Sequence, residues 1–392
     1  MVPGRPGVTG FRLPQALSPQ GFLDGYWQRK ALVCPGALVG CLPQIDADDL
    51  LDIACEPQAD TRLVVRQGLD WQVRAGPLDP SYTEDLPETG WSVLIQSMEV
   101  WLPELHDLVA ELGFLPRWRT DDVMVSLSAA GGGVGPHVDQ YDVFLVQASG
   151  RRCWAYGGPV SAFLPDRPLR LLADFRPEAQ HVLEPGDTLY LPPGVPHDGV
   201  ALDDGCLTVS IGFRAPGASD LASKFADQLL TRWQGDVEHE PRFADPGRPS
   251  SEADPTRIDP GDAEAMAAVV SACLNDPDQA MRLTGELMSE PRMPSQPPDR
   301  VLTGEAILDC LADGGRLERW AGSRLAHGPA SDGRAYLFAD GTSHLCTPRL
   351  AAVLAAATFI ESGLIEPFVD DGELASVLAW LVGQGTFAIP PG

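Results

Sequence analysis

Two histidine-bearing segments, at residues 133–139 and 186–197, constrain this chain more than any other feature. The first is Gly133-Val134-Gly135-Pro136-His137-Val138-Asp139; the second runs from Gly186-Asp187 to Leu191-Pro192-Pro193-Gly194-Val195-Pro196-His197. Short β-like runs separate and flank them: Val123–Ser128, Tyr141–Gln147, Cys153–Tyr156, His181–Leu183, Thr188–Leu191 and Leu207–Ile211. Short strands punctuated by Gly and Pro predict a barrel or sandwich. The Gly131-Gly132-Gly133 turn stands between two such strands, so His137 and Asp139 can project from a strand end. Two imidazoles and one carboxylate can occupy one face of an iron(II) ion, leaving three positions for a cosubstrate and oxygen.

Arg151 and Arg152, in Gly150-Arg151-Arg152-Cys153-Trp154, would alone read as solvated turn charges. Beside a facial triad, the planar fork of Arg152 becomes a candidate to pair with the distal carboxylate of 2-oxoglutarate. Ser128, at the end of the strand before the glycines, is a candidate second donor. Tyr141, Asp142, Trp154 and Tyr190 could line a pocket, although aromatics on barrel strands are more often core.

The composition sets outer bounds. At 392 residues and 44% hydrophobic content, two or three domains are expected. A net charge of −27 opposes nonspecific binding to nucleic acid or anionic membrane and suits a basic protein partner, or simply solubility. Cys34, Cys41, Cys55, Cys153, Cys206, Cys273, Cys310 and Cys346 form no C-x-x-C pair, which fits reduced thiols in a cytoplasm. Met1–Arg5 leads into no apolar run resembling a signal peptide, and the apolar stretch Leu350–Ile360 is too short for a bilayer.

Along the chain, Phe22–Trp27 is expected as a short helix and Thr61–Val65 as a strand. After Arg214 the pattern turns helical, over Asp220–Trp233 and again over Ala263–Leu287, around an acidic, Pro-rich loop at Gly235–Asp262. Past a Pro-rich break at Pro291–Pro298, a helix at Leu302–Leu311 precedes a hairpin of Ala335–Phe338 with Ser343–Cys346 across Asp340-Gly341. Helices near Leu350–Ile360 and Gly372–Leu381 follow. Helices around a small hairpin resemble a winged helix, but Asp370, Asp371 and Glu373 make this end acidic, against DNA binding.

The runs Ser126-Leu127-Ser128, Gly131–Phe144, Leu145–Arg152 and Leu191–His197 together resemble the JmjC-type ribosomal oxygenases, which are cupin-like protein hydroxylases. The likeness is specific over residues 120–215, and is nearest to the bacterial members that hydroxylate an arginine of a large-subunit ribosomal protein. It implies an α+β fold with a mainly β core: a double-stranded β-helix, then a helical dimerisation region and a C-terminal winged-helix-like domain. The expected partition is an N-terminal extension (1–95), a catalytic JmjC/cupin domain (96–216), a helical region (217–299) and a winged-helix-like domain (300–392). The resemblance further implies iron(II) held by His137, Asp139 and His197, 2-oxoglutarate held by Arg152 and Ser128, a homodimer, and a ribosomal-protein substrate. Ala129, Ala130 and Cys153 depart from the family pattern and leave the target side chain open. The same chemistry on histidine or another side chain, or on a different protein target, is one alternative; a non-enzymatic metal-binding cupin regulator is another.

Overall fold

The structure, a computed structural model, describes residues 10–14, 17–38, 40, 42–68, 70–165, 168–235, 238, 240–244, 246 and 258–390. The chain divides into two compact units, Met1–Pro216 and Gly217–Gly392. The first holds helices α1 (Pro19–Gly25), α2 (Ala47–Ala54), α3 (Pro80–Glu84) and α4 (Glu104–Ala110). Its strands are β1 (Leu32–Cys34), β2 (Thr61–Gln67), β3 (Asp70–Ala75), β4 (Trp91–Ile95), β5 (Thr120–Ser128), β6 (His137–Val138), β7 (Asp142–Ser149), β8 (Arg152–Tyr156), β9 (Ala179–Leu183), β10 (Thr188–Leu191), β11 (Pro196–Ala201) and β12 (Cys206–Phe213).

An eight-stranded sheet runs in the order β1-β10-β7-β12-β5-β4-β2-β3, and a four-stranded sheet in the order β6-β11-β8-β9. From β5 onward the chain passes between them, so β5, β7, β10 and β12 face β6, β8, β9 and β11, the double-stranded β-helix arrangement. The alternation of side chains along a strand decides which layer each residue enters. On β5, Val123, Val125 and Leu127 pack with Phe22, Leu38, Leu50, Leu105 and Leu108 under the helices. Ser126 and Ser128 take the other face, toward the smaller sheet. Between the sheets, Val143, Leu145, Leu189 and Leu191 pack on Trp154, Tyr156 and Leu183.

The N-terminal segment is part of the large sheet rather than a separate layer. β4 pairs with β5, and the β2–β3 hairpin extends the edge beyond it. Helix α1 starts earlier than the apolar pattern alone indicates, because Ser18 caps it by accepting from the Gly21 N–H at 3.0 Å and Pro19 opens its first turn.

Tyr190 and Asp142 do not line a pocket. Tyr190 packs on Phe22 and Trp27 and donates from its hydroxyl to Asp142 Oδ1 at 2.6 Å, while the Gln28 N–H donates to the same hydroxyl at 2.7 Å. Arg119 completes the cluster at 3.1 Å from the fully buried Asp142. This buried network pins the α1 end to β7 and β10.

The second unit has α5 (Ala218–Gly235), α6 (Pro260–Leu274), α7 (Pro277–Met288), α8 (Gly304–Ala312), α9 (Pro348–Ala356), α10 (Ser362–Ile365) and α11 (Leu374–Gly383). Its strands are β13 (Leu317–Arg319), β14 (Leu325–Pro329), β15 (Ala335–Ala339), β16 (Thr342–Cys346), β17 (Phe359–Ile360) and β18 (Phe387–Ala388). They form the sheets β17-β13-β18 and β14-β15-β16. The β15–β16 turn lies at Asp340 and Gly341, both at positive φ, the conformation a two-residue type I′ hairpin requires.

Two sequence expectations are corrected here. The stretch Ala263–Leu287 is two helices, because Asp276 caps a new one by accepting from the Asp278 and Gln279 N–H groups and Pro277 cannot continue the old one. The helix expected over Leu350–Ile360 ends at Ala356; Ala357 is extended, and Phe359–Ile360 pairs with β13. Most of the loop expected at Gly235–Asp262 lies outside the described residues, as does Cys41. The described cysteines are free thiols. No described helix is long and apolar enough to cross a membrane.

Tyr190→Phe should destabilise the protein by about 1–3 kcal/mol, since it strips one hydrogen bond from a buried carboxylate and orphans the Gln28 N–H. Urea unfolding measures this; an unchanged midpoint would show that the cluster is not what anchors α1.

Candidate metal centre and cosubstrate pocket

The two histidine segments meet because β11 pairs with β6, with His197 directly opposite His137. The two rings lie 4.2 Å apart between centroids. Both present Nε2 to the Asp139 carboxylate: His137 Nε2 is 3.7 Å and His197 Nε2 3.6 Å from Asp139 Oδ2. One ligand atom from each of the three residues lies within 4.8 Å of the other two, and no other such cluster occurs among the described residues.

Outer contacts fix the chemistry of each ring. His137 Nδ1 lies 2.8 Å from Gly135 O, and His197 Nδ1 3.0 Å from Val195 O. A carbonyl only accepts, so Nδ1 carries the proton and the Nε2 lone pair faces the centre. Burial, and then the neighbouring His137, push the His197 imidazole well below its usual range, so it is neutral at pH 7. A neutral imidazole is the form that binds a metal. His197 is almost fully buried while His137 and Asp139 remain partly open, leaving the centre approachable from one side. This donor set fits a divalent transition metal with open coordination positions.

Glycine permits the approach of the two segments. A Cβ on Gly133 would stand 2.3 Å from Gly199 O, and one on Gly132 would stand 2.0 Å from Trp91 O. The run is therefore threaded between β11 and β4, where no side chain fits. The Gly194 N–H donates to Asp139 O at 2.8 Å, which ties the two motifs together a second time.

The adjacent arginines part company. Arg151 is half exposed and pairs with Asp203 at 2.9 Å. Arg152, on β8, is 5% exposed and donates from Nη2 to Ser128 Oγ at 2.6 Å. Its Nε is buried with no partner in the protein, a costly arrangement that an anionic ligand would relieve. Trp154 lies beside both groups: its ring is 5.9 Å from that of His197 and 5.7 Å from the Arg152 guanidinium carbon. Of the residues that depart from the family pattern, Ala130 donates its N–H to Asp204 Oδ1 and Cys153 accepts from Gln180 Nε2. A residue that motif reading missed is Ser92 on β4, whose Oγ lies 2.7 Å from Ser128 Oγ; an isolated serine in an apolar strand carries no signal in sequence.

Gly133→Ala should push β11 away from β6, costing about 1–3 kcal/mol of stability and lowering divalent-metal affinity by roughly 10-fold or more. Manganese titration followed by calorimetry, with a denaturant melt, reads both. Wild-type metal affinity would show that the β6–β11 approach does not set the centre.

Comparison with known proteins agrees with this geometry. Residues 107–221 match the JmjC domain family. The chain is 37% identical over 308 residues to the ribosomal protein uL16 3-hydroxylase of Escherichia coli, covering 78% of this chain and 80% of that protein. A probable ribosomal oxygenase of Haemophilus influenzae is 42% identical over 216 residues, covering 54% and 53% respectively. The solved structure of the E. coli ribosomal oxygenase YcfD with cobalt and 2-oxoglutarate matches with a TM-score of 0.83 at 33% identity, over 97% of this chain and 100% of that one. With the double-stranded β-helix and the His-Asp-His cluster in place, the chain belongs to the JmjC-type ribosomal oxygenases.

Proposed function

We propose that this protein is an iron(II)- and 2-oxoglutarate-dependent oxygenase that hydroxylates an arginine side chain of a large-subunit ribosomal protein. The observation that carries the reading is the convergence of His137, Asp139 and His197 on one point, in the same unit as a buried arginine with an unpartnered nitrogen. A relative named as a ribosomal protein uL16 3-hydroxylase and another named as a probable ribosomal oxygenase support the substrate class.

Iron(II), when bound, supplies oxygen activation, coupling oxidative decarboxylation of 2-oxoglutarate to succinate and CO₂ with hydroxylation of an unactivated C–H bond. The chain's own residues do the rest. His137, Asp139 and His197 would hold the metal, and the Nδ1–H bonds of the two histidines to Gly135 O and Val195 O aim their Nε2 lone pairs at it. Arg152 and Ser128 bind the distal carboxylate of 2-oxoglutarate, Arg152 by charge and Ser128 by its hydroxyl. Trp154 walls the space beside His197 and Arg152 and limits water there. An acidic protein of net charge −27 attracts a basic ribosomal protein rather than rRNA itself. A cytoplasmic site of action follows from that substrate.

The second unit serves assembly in this reading. Helix α6 buries none of its described residues, and Met266, Val270 and Leu274 are about half exposed along it, a surface suited to a homodimer. The elements around β14–β16 form the winged-helix-like end, whose acidic residues oppose nucleic-acid binding.

Intact-mass analysis of large-subunit ribosomal proteins from cells lacking this protein, incubated with enzyme, iron(II), 2-oxoglutarate and ascorbate, should show a gain of one oxygen on one protein. Peptide mapping should place it on arginine, and Asp139→Ala should abolish it while the protein stays folded. Arg152→Ala should raise the 2-oxoglutarate requirement roughly 10- to 100-fold, the worth of a charged hydrogen-bonding partner. An active Asp139→Ala enzyme, or a modified histidine, would contradict the assignment.

A further inference from the structure

Arg152 and Ser128 do not stand alone in the interior of the first unit. Ser92 lies directly opposite Ser128 in the β4–β5 pairing, and the two hydroxyl oxygens are 2.7 Å apart. Ser92 is 1% and Ser128 0% exposed, so both hydroxyls must be satisfied from within the protein or by a ligand. The sheet register, not side-chain flexibility, aims Ser92 at Ser128. Ser92 also precedes the segment matched by the JmjC domain family, which begins at residue 107.

A hydroxyl has one proton to donate and two lone pairs to accept with. Arg152 Nη2 donates to Ser128 Oγ at 2.6 Å, which occupies one lone pair. The Ser92 contact then admits two arrangements. If Ser128 donates to Ser92, Ser128 has no proton left for an anion. If Ser92 donates to Ser128, both Ser128 lone pairs are filled and its single proton is free. An ionised carboxylate only accepts, so it is bound by Arg152 and Ser128 together only in the second arrangement.

We propose that Ser92 is a positioning residue for cosubstrate binding: by donating to Ser128 Oγ, it turns the Ser128 proton toward the distal carboxylate of 2-oxoglutarate. This rests on the reading of Arg152 and Ser128 as the anchor of that carboxylate. It makes the N-terminal extension a functional part of the pocket, acting through Ser128 without touching the cosubstrate.

The test is a double-mutant cycle on the full chain loaded with manganese(II), a metal that holds 2-oxoglutarate without turnover, with 2-oxoglutarate affinity measured by calorimetry. Ser92→Ala should weaken 2-oxoglutarate by roughly 3- to 10-fold, the worth of one neutral hydrogen bond, with manganese affinity unchanged. In a Ser128→Ala background the Ser92→Ala change should have no further effect. Ser92→Thr, which keeps the hydroxyl, should restore wild-type affinity. Wild-type affinity in Ser92→Ala overturns the proposal, as does a loss that adds in full to that of Ser128→Ala or an accompanying loss of manganese binding. Should Ser92→Ala not fold, Ser92→Cys, nearly the same size with a poor donor, is expected to show the same selective loss, and wild-type affinity there would overturn the proposal. If Arg152→Ala and Ser128→Ala both bind 2-oxoglutarate like the wild type, the anchor reading fails and Ser92 with it. If they weaken it and Ser92→Ala does not, Ser92 alone is refuted.

Discussion

The cross-strand pair of His197 with His137 is the contact on which the site depends. In an antiparallel ladder a slip of one residue turns every side chain to the opposite face. Moving β11 by one position against β6 would put Asp198 or Pro196 opposite His137 and dissolve the cluster. Several features hold that register. The Gly131–Gly133 run exchanges backbone hydrogen bonds with Ala201, the Gly194 N–H reaches Asp139 O, and β8 closes the other side of β11 with Tyr156 opposite His197. The glycines are thus structural conditions for the chemistry, since a Cβ at Gly132 or Gly133 would collide with backbone oxygen.

The large sheet supplies the complementary half. Its outer face is buried under α1, α2 and α4 by Val123, Val125, Leu127, Phe144 and Tyr190, which makes it a rigid floor. Its inner face presents Ser128 to Arg152 across the barrel. The candidate metal ligands come from the small sheet and the loop after β6, while the arginine of the small sheet is braced by a serine of the large one. Two buried polar clusters thereby have different duties. Asp142, Arg119, Tyr190 and Gln28 satisfy one another and lock the helical layer, whereas the cluster at Arg152 keeps an unpaired buried donor.

Much of this was legible in sequence where the chemistry is local. The Gly-Pro-His-x-Asp segment and the Pro-x-Gly-x-Pro-His segment sit at strand ends whose turns the glycines mark, and the strands between them follow apolar runs. The separate fates of Arg151 and Arg152 were less visible, since adjacent residues on a strand point to opposite faces and only the pairing shows which face is interior. The same holds for Tyr190, whose ring serves the outer layer although β10 also feeds the interior through Leu189 and Leu191. Ser92 was illegible because its partner lies 36 residues away and strand pairing alone brings them together. In the second unit, the break at Asp276-Pro277 carries a cap signal, whereas the two-residue strands at Phe359 and Phe387 are too short for any periodicity to mark them.

In the proposed function, His137, Asp139 and His197 hold iron(II) with positions left open for the keto-acid end of 2-oxoglutarate. Anaerobic visible spectroscopy of the iron(II)-loaded protein tests this most directly. Chelation of iron(II) by the keto acid produces a metal-to-ligand charge-transfer band, which is expected on adding 2-oxoglutarate to the wild type and not to Asp139→Ala. Iron bound tightly with no such band, or a band of full intensity without Asp139, would contradict it.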